Sequence, residues 1–95
     1  MAKRNYLNIE DGDFRLTFAD AKQTVKNIES IFVARASWFS IPKPMPIALL
    51  KQEYLHLCPD MEVMFPGVAE KMMRPAILRQ LGFPVNADGM VHWSE

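Results

Sequence analysis

Three prolines alternate through Ile41-Pro42-Lys43-Pro44-Met45-Pro46, and no α-helix passes through such a run. Each proline removes a main-chain donor and drives the residue before it toward extended geometry. The chain is thereby divided into residues 1–41, a stiff connector at 42–46, and residues 47–95. Further prolines at 59, 66, 75 and 84 repeat the interruption, which limits the second part to short helices. The 95 residues, 49% of them apolar, suffice for one domain with a packed core and argue against disorder.

The first part reads as a hairpin followed by a long helix. Tyr6-Leu7-Asn8-Ile9 and Phe14-Arg15-Leu16-Thr17-Phe18 flank Glu10-Asp11-Gly12-Asp13, and an Asp-Gly pair suits a two-residue turn. With Asp11 and Gly12 in the turn, Ile9 faces Phe14 and Leu7 faces Leu16, while Glu10 meets Asp13 as a like-charge pair. The helix is expected to start near Thr17 or Ala19, with Thr17 and Asp20 at the spacing of a capping box. Ala21, Val25, Ile28, Phe32, Ala36 and Phe39 then recur at steps of three and four and form its buried stripe. Ile31, Val33 and Trp38 lie beside or outside that stripe.

The second part reads as three short helices and a closing hairpin. Pro46 suits a first helical position, and Ile47, Leu50, Tyr54 and Leu57 form an apolar face on a helix that ends by Pro59. Asp60 to Phe65 is a turn or a short helical segment. Pro66 opens the next helix, through Val68, Ala69, Met72 and Met73. Pro75 starts the last one and Gly82 stops it. Phe83, Val85, Val91 and Trp93 then bracket Asn86-Ala87-Asp88-Gly89, a turn composition that allows two registers. The expected architecture is α+β: an N-terminal β-hairpin and long helix, then a bundle of short helices with a C-terminal β-hairpin.

Chemistry is sparse. His56 and Cys58 stand two apart with His92 distant, which matches no zinc-ligand spacing, and no metal or cofactor is expected. Ser30, Ser37, Ser40 and Ser94 lie in no nucleophile elbow, and the four glycines stand apart at 12, 67, 82 and 89, so no phosphate loop is present. Asp11 and Asp13 are explained by turn chemistry and Asp20 by a helix start. The chain is therefore read as non-enzymatic. A single cysteine excludes an intrachain disulfide, and neither a signal peptide nor a bilayer-spanning run is found, so a cytoplasmic location with no membrane partner is expected. Lys plus Arg and Asp plus Glu balance at 11 each, so no global field steers the chain to nucleic acid.

The last helix carries the sharpest functional signal. With Ile77 or Leu78 and Leu81 inward, Arg74, Ala76, Arg79 and Gln80 fall on its outer side, and Arg and Gln read guanine and adenine edges in the major groove. Residues 46–93, ending in a Leu-Gly-aromatic helix stop before a small hairpin, resemble a winged helix-turn-helix of phage and plasmid replication and regulatory proteins. The resemblance implies base contacts from Arg74, Arg79 and Gln80 and phosphate contacts from Lys71, Asn86 and His92 on double-stranded DNA. From Met45 onward Lys51, Lys71, Arg74 and Arg79 oppose Glu53, Asp60, Glu62, Glu70, Asp88 and Glu95. DNA binding on this scheme requires a homodimer or help from Lys3-Arg4.

A rival reading rests on methionine. Seven residues are Met, and Met61, Met64, Met72 and Met73 cluster within 61–73, where flexible thioethers suit a surface that adapts to a partner. With Trp38 and Trp93 as anchors, Met61, Met64 and Met72 outline a protein-interaction surface of an adaptor or inhibitor; the alternative is that Met72 and Met73 fill an irregular small core and the two tryptophans anchor it. The first expectation is thus a DNA-binding regulator or replication accessory, and the alternative is a protein-interaction module.

Overall fold

A hairpin opens the computed structural model, which describes residues 8–36 and 42–93. Strands β1 (Ile9–Asp11) and β2 (Phe14–Leu16) pair antiparallel as Ile9 with Leu16, Glu10 with Arg15 and Asp11 with Phe14. The two-residue turn is therefore Gly12-Asp13 rather than Asp11-Gly12. Gly12 sits at φ +62 and Asp13 is not at positive φ, the demand of a turn that needs left-handed backbone only at its first central position. This register replaces the repulsive Glu10–Asp13 pairing with an attractive one: Arg15 Nε lies 3.0 Å from Glu10 Oε2. The expected pairing of Leu7, and the anchor Trp38 with Phe39, lie outside the described residues.

Helix α1 (Phe18–Arg35) begins where its cap predicts. Thr17 is extended, and its Oγ1 accepts the Asp20 N–H at 3.1 Å. Ala21, Thr24, Val25, Ile28, Ile31 and Phe32 are buried, so the buried face is wider than the expected stripe, and Ala36 is only its half-buried C-cap.

The proline run does more than connect. Met45–Pro46 form strand β3, antiparallel to β4 (Met90–Val91), with Met45 opposite Val91 and Pro46 opposite Met90. Val91 also bridges Val85 on its other side, so β4 runs between Val85 and β3. Pro46, which lacks an N–H, is tolerated because β3 is the outer strand of this ribbon. It is the N-cap of α2 (Ile47–Leu57) rather than its first helical residue. Leu50 and Tyr54 of α2 are buried, whereas Leu57, expected on the same face, is half exposed.

Three short helices follow: α3 (Pro59–Met64), α4 (Val68–Met72) and α5 (Pro75–Gln80). Pro66 precedes α4 in a turn instead of opening it. Helix α5 stops at Gly82, φ +96, with Gly82 N–H bonded to Arg79 O at 3.1 Å and Phe83 N–H to Leu78 O at 2.9 Å. Both bonds of a glycine-terminated helix end are thus made, and the accompanying apolar contact pairs two fully buried side chains, Leu78 and Phe83. Ile77, Leu78 and Leu81 all face the core.

The core joins the two parts. Phe32 of α1 stacks on Phe83 at 6.0 Å between ring centres and meets Trp93 edge-on at 5.8 Å. Such contacts add about 0.5–1.5 kcal/mol beyond the area they bury. The fold is α+β, with a hairpin, one long helix, short helices and a C-terminal strand pair. Among the described residues no helix is long and apolar enough to cross a membrane.

Candidate functional site

Helix α5 turns its polar side chains, exposed at its outer side, toward both ribbons. Gln80 Nε2 donates to Glu10 O at 2.6 Å and to Ala76 O at 3.0 Å, while Gln80 Oε1 accepts the Glu10 N–H at 3.0 Å. Arg79 directs Nε and Nη2 at Val85 O, 3.3 and 2.9 Å away. Arg74 Nη1 lies 3.2 Å from Asp11 Oδ2. The three side chains expected to read bases therefore fasten α5 to β1, at Glu10 and Asp11, and to the entry of the terminal ribbon at Val85. Asn86 Oδ1 accepts the N–H groups of Asp88 and Met90 at 3.0 Å each, closing the turn, and its amide faces His92 at 3.5 Å. Of the residues assigned to DNA, Lys71 remains on the surface of α4.

The methionine cluster divides. Met72, readable either as core or as interaction surface, is 2% exposed and belongs to the core, because α4 buries Ala69 and Met72 beneath it. Trp93 is half-buried against Phe32. Met61 is half-buried, and Met64 is exposed. Met61 and Met72 meet at a groove of about 420 Å³ whose walls also include Leu16, Phe65 and Val68. This volume falls within the range of ligand pockets, about 300–1,000 Å³.

The opposite wall is polar. Asp20, Gln23, Thr24 and Asn27 come from one face of α1, at the spacing i, i+3, i+4, i+7. Their groups are linked: Gln23 Nε2 donates to Asn27 Oδ1 at 3.0 Å, and Asn27 Nδ2 donates to Tyr54 Oη at 3.1 Å and to Cys58 Sγ at 3.6 Å. Thr24 Oγ1 donates to Asp20 O at 2.7 Å and faces Met72 Sδ at 3.7 Å. Burial pushes the Tyr54 phenol above its ordinary value, outweighing the hydrogen bonds with Asn27 and Thr24 that lower it. Burial likewise pushes the Cys58 thiol up, which makes it a poor nucleophile. The groove thus pairs one hydrogen-bonded polar wall with one apolar wall.

Comparison with protein-family models, curated proteins and solved structures finds no match. The site thus stands on its geometry. Among the described residues no group of three or more His, Cys, Asp or Glu is placed to hold a metal ion.

Sequence reading missed the polar stripe because Asp20 was absorbed into the helix start and Thr24 and Asn27 lie among apolar positions. Its helical spacing was the available signal. Phe65 falls in a stretch readable as a turn or a short helix and Val68 in a helix, but their meeting with Leu16 is a product of tertiary packing.

One shoulder of the groove is apolar and open. Val63, Met64 and Phe65 are 80%, 68% and 60% exposed, and α3 contributes no buried residue. Three consecutive large apolar side chains left in water beside a groove are the pattern of an interaction surface rather than of isolated surface residues.

Proposed function

We propose that the protein is a protein-interaction module that binds a segment of a partner in the groove between α1 and α3–α4. The observation that carries this reading is the exposed Val63-Met64-Phe65 shoulder continuous with the Met61, Phe65, Val68 and Met72 wall. Apolar area withdrawn from water there supplies the binding energy, at about 25 cal/mol per Å² before the costs of association. The hydrogen-bonded stripe of Asp20, Gln23, Thr24 and Asn27 supplies orientation. This reading is favoured over duplex recognition because Arg74, Arg79 and Gln80 already engage protein acceptors. Duplex contacts require those groups to exchange partners.

A random dodecamer display library, selected in parallel on the native chain and on a Met61→Glu/Phe65→Glu variant, tests the reading. Peptide families that enrich on the native chain and are lost on the folded variant are expected. Equal enrichment on both would remove the groove from consideration.

A further inference from the structure

The β1–β2 hairpin has two outer edges, and they are treated differently. In its register the pairs Ile9–Leu16 and Asp11–Phe14 bond across the hairpin, which turns the N–H and C=O of Glu10 and Arg15 outward on opposite sides. On the β1 side, the Gln80 carboxamide satisfies both main-chain groups of Glu10 and so stands in for a neighbouring strand. On the β2 side, no main-chain or side-chain partner of the Arg15 N–H or C=O occurs among the described residues. Arg15 and Leu16 line the groove. An unpaired strand edge therefore borders an apolar cleft.

Of their charged residues, the segments that flank that edge and wall the groove carry mostly acidic ones. Asp13 just before β2 and Asp20 in the first turn of α1 are exposed, and 59–72 exposes Asp60 and Glu70 against Lys71 alone. The guanidinium of Arg15 is paired with Glu10 at 3.0 Å and does not offset them. A cationic chain is drawn to this rim and an anionic one is repelled.

Resting on the groove being a protein-binding site, we propose that its occupant is a short extended peptide that pairs with Arg15 as a third strand. Alternating side chains give it apolar groups for the Met61, Phe65 and Val68 wall and cationic groups for the acidic rim. Pairing ends at Thr17, whose carbonyl is taken by the Ala21 N–H at 2.9 Å. The recognised element is therefore short, about three paired residues, or roughly 10 Å of strand.

The test uses fluorescein-labelled heptapeptides in which Lys alternates with Leu, Val, Ile or Phe, titrated against the full chain by anisotropy. A matched set carries Glu in place of Lys, and a third set carries an N-methyl group on the central amide. Saturable binding of the Lys set is expected, with at least about tenfold weakening for each of the other two. Phe65→Lys, at an exposed position, is expected to abolish binding with the unfolding midpoint retained. Failure of every Lys peptide to bind, or equal binding of the N-methylated set, would overturn strand addition. In either case the display library still decides independently whether the groove binds protein at all. Selected families that bind as helices would also overturn the strand geometry.

Discussion

Single side chains decide how this molecule titrates and which surfaces it leaves open. Tyr54 is buried, and its phenol holds the proton more tightly in the folded chain than in the unfolded one. Its raised value means that the stability it contributes is complete below pH 10.0, its ordinary value, and is lost as pH rises from there through the folded value. Guanidinium unfolding of the native chain and of Tyr54→Phe across this range checks the sign. The stability difference between the two should shift toward the variant above pH 10.0, and a constant difference would contradict the assignment. At the same scale, the outward placement of Arg79 and Gln80 on a short helix was legible in the sequence. Their acceptors, Val85 O and Glu10 O, were not, because periodicity gives a direction from the helix axis and no information about what stands there.

Secondary-structure elements show where local rules suffice and where competing signals cancel. Helix α1 was readable because a threonine cap and an apolar repeat point to the same start and the same face. The α5 stop was readable because only glycine takes its φ of +96 without strain. The hairpin register was not readable from the turn dipeptide. Asp11-Gly12 and Gly12-Asp13 both make acceptable two-residue turns, and cross-strand charge with the burial of Ile9 selects the second. Strand β3 escaped notice because two residues show no alternation and Pro46 announces a helix. Attachment of α5 to β1 is the contact most easily tested. Gln80→Ala removes both bonds that close the β1 edge and is expected to cost about 0.5–1.5 kcal/mol in denaturant unfolding with an unchanged slope. A loss within about 0.5 kcal/mol would mean that the carboxamide merely rests on the surface.

At the scale of the whole molecule, the balance of 11 basic and 11 acidic residues leaves no field to hold a polyanion. On the proposed reading the groove, not the last helix, is the binding surface. Anisotropy of mixed-sequence duplex DNA, titrated at several salt concentrations, is expected to show no saturable binding. An affinity whose logarithm falls linearly with the logarithm of salt concentration would restore the duplex reading. The groove itself was half legible: Met61 lines it and Met64 is exposed beside it, whereas Met72 lies underneath, almost wholly buried. Which methionine covers and which supports depends on how α3 and α4 are tilted over α1 and α2, and composition carries no such angle.

The ribbons have a topological consequence. The early hairpin is clasped by a glutamine contributed late in the chain, while the late ribbon is completed by a strand drawn from its middle. Each portion of the sequence thus finishes a structure begun by the other, like two interlocked hooks. Grafting residues 47–93 onto another scaffold would carry a sheet stripped of one strand, so this recognition surface is transplantable only together with the whole weave.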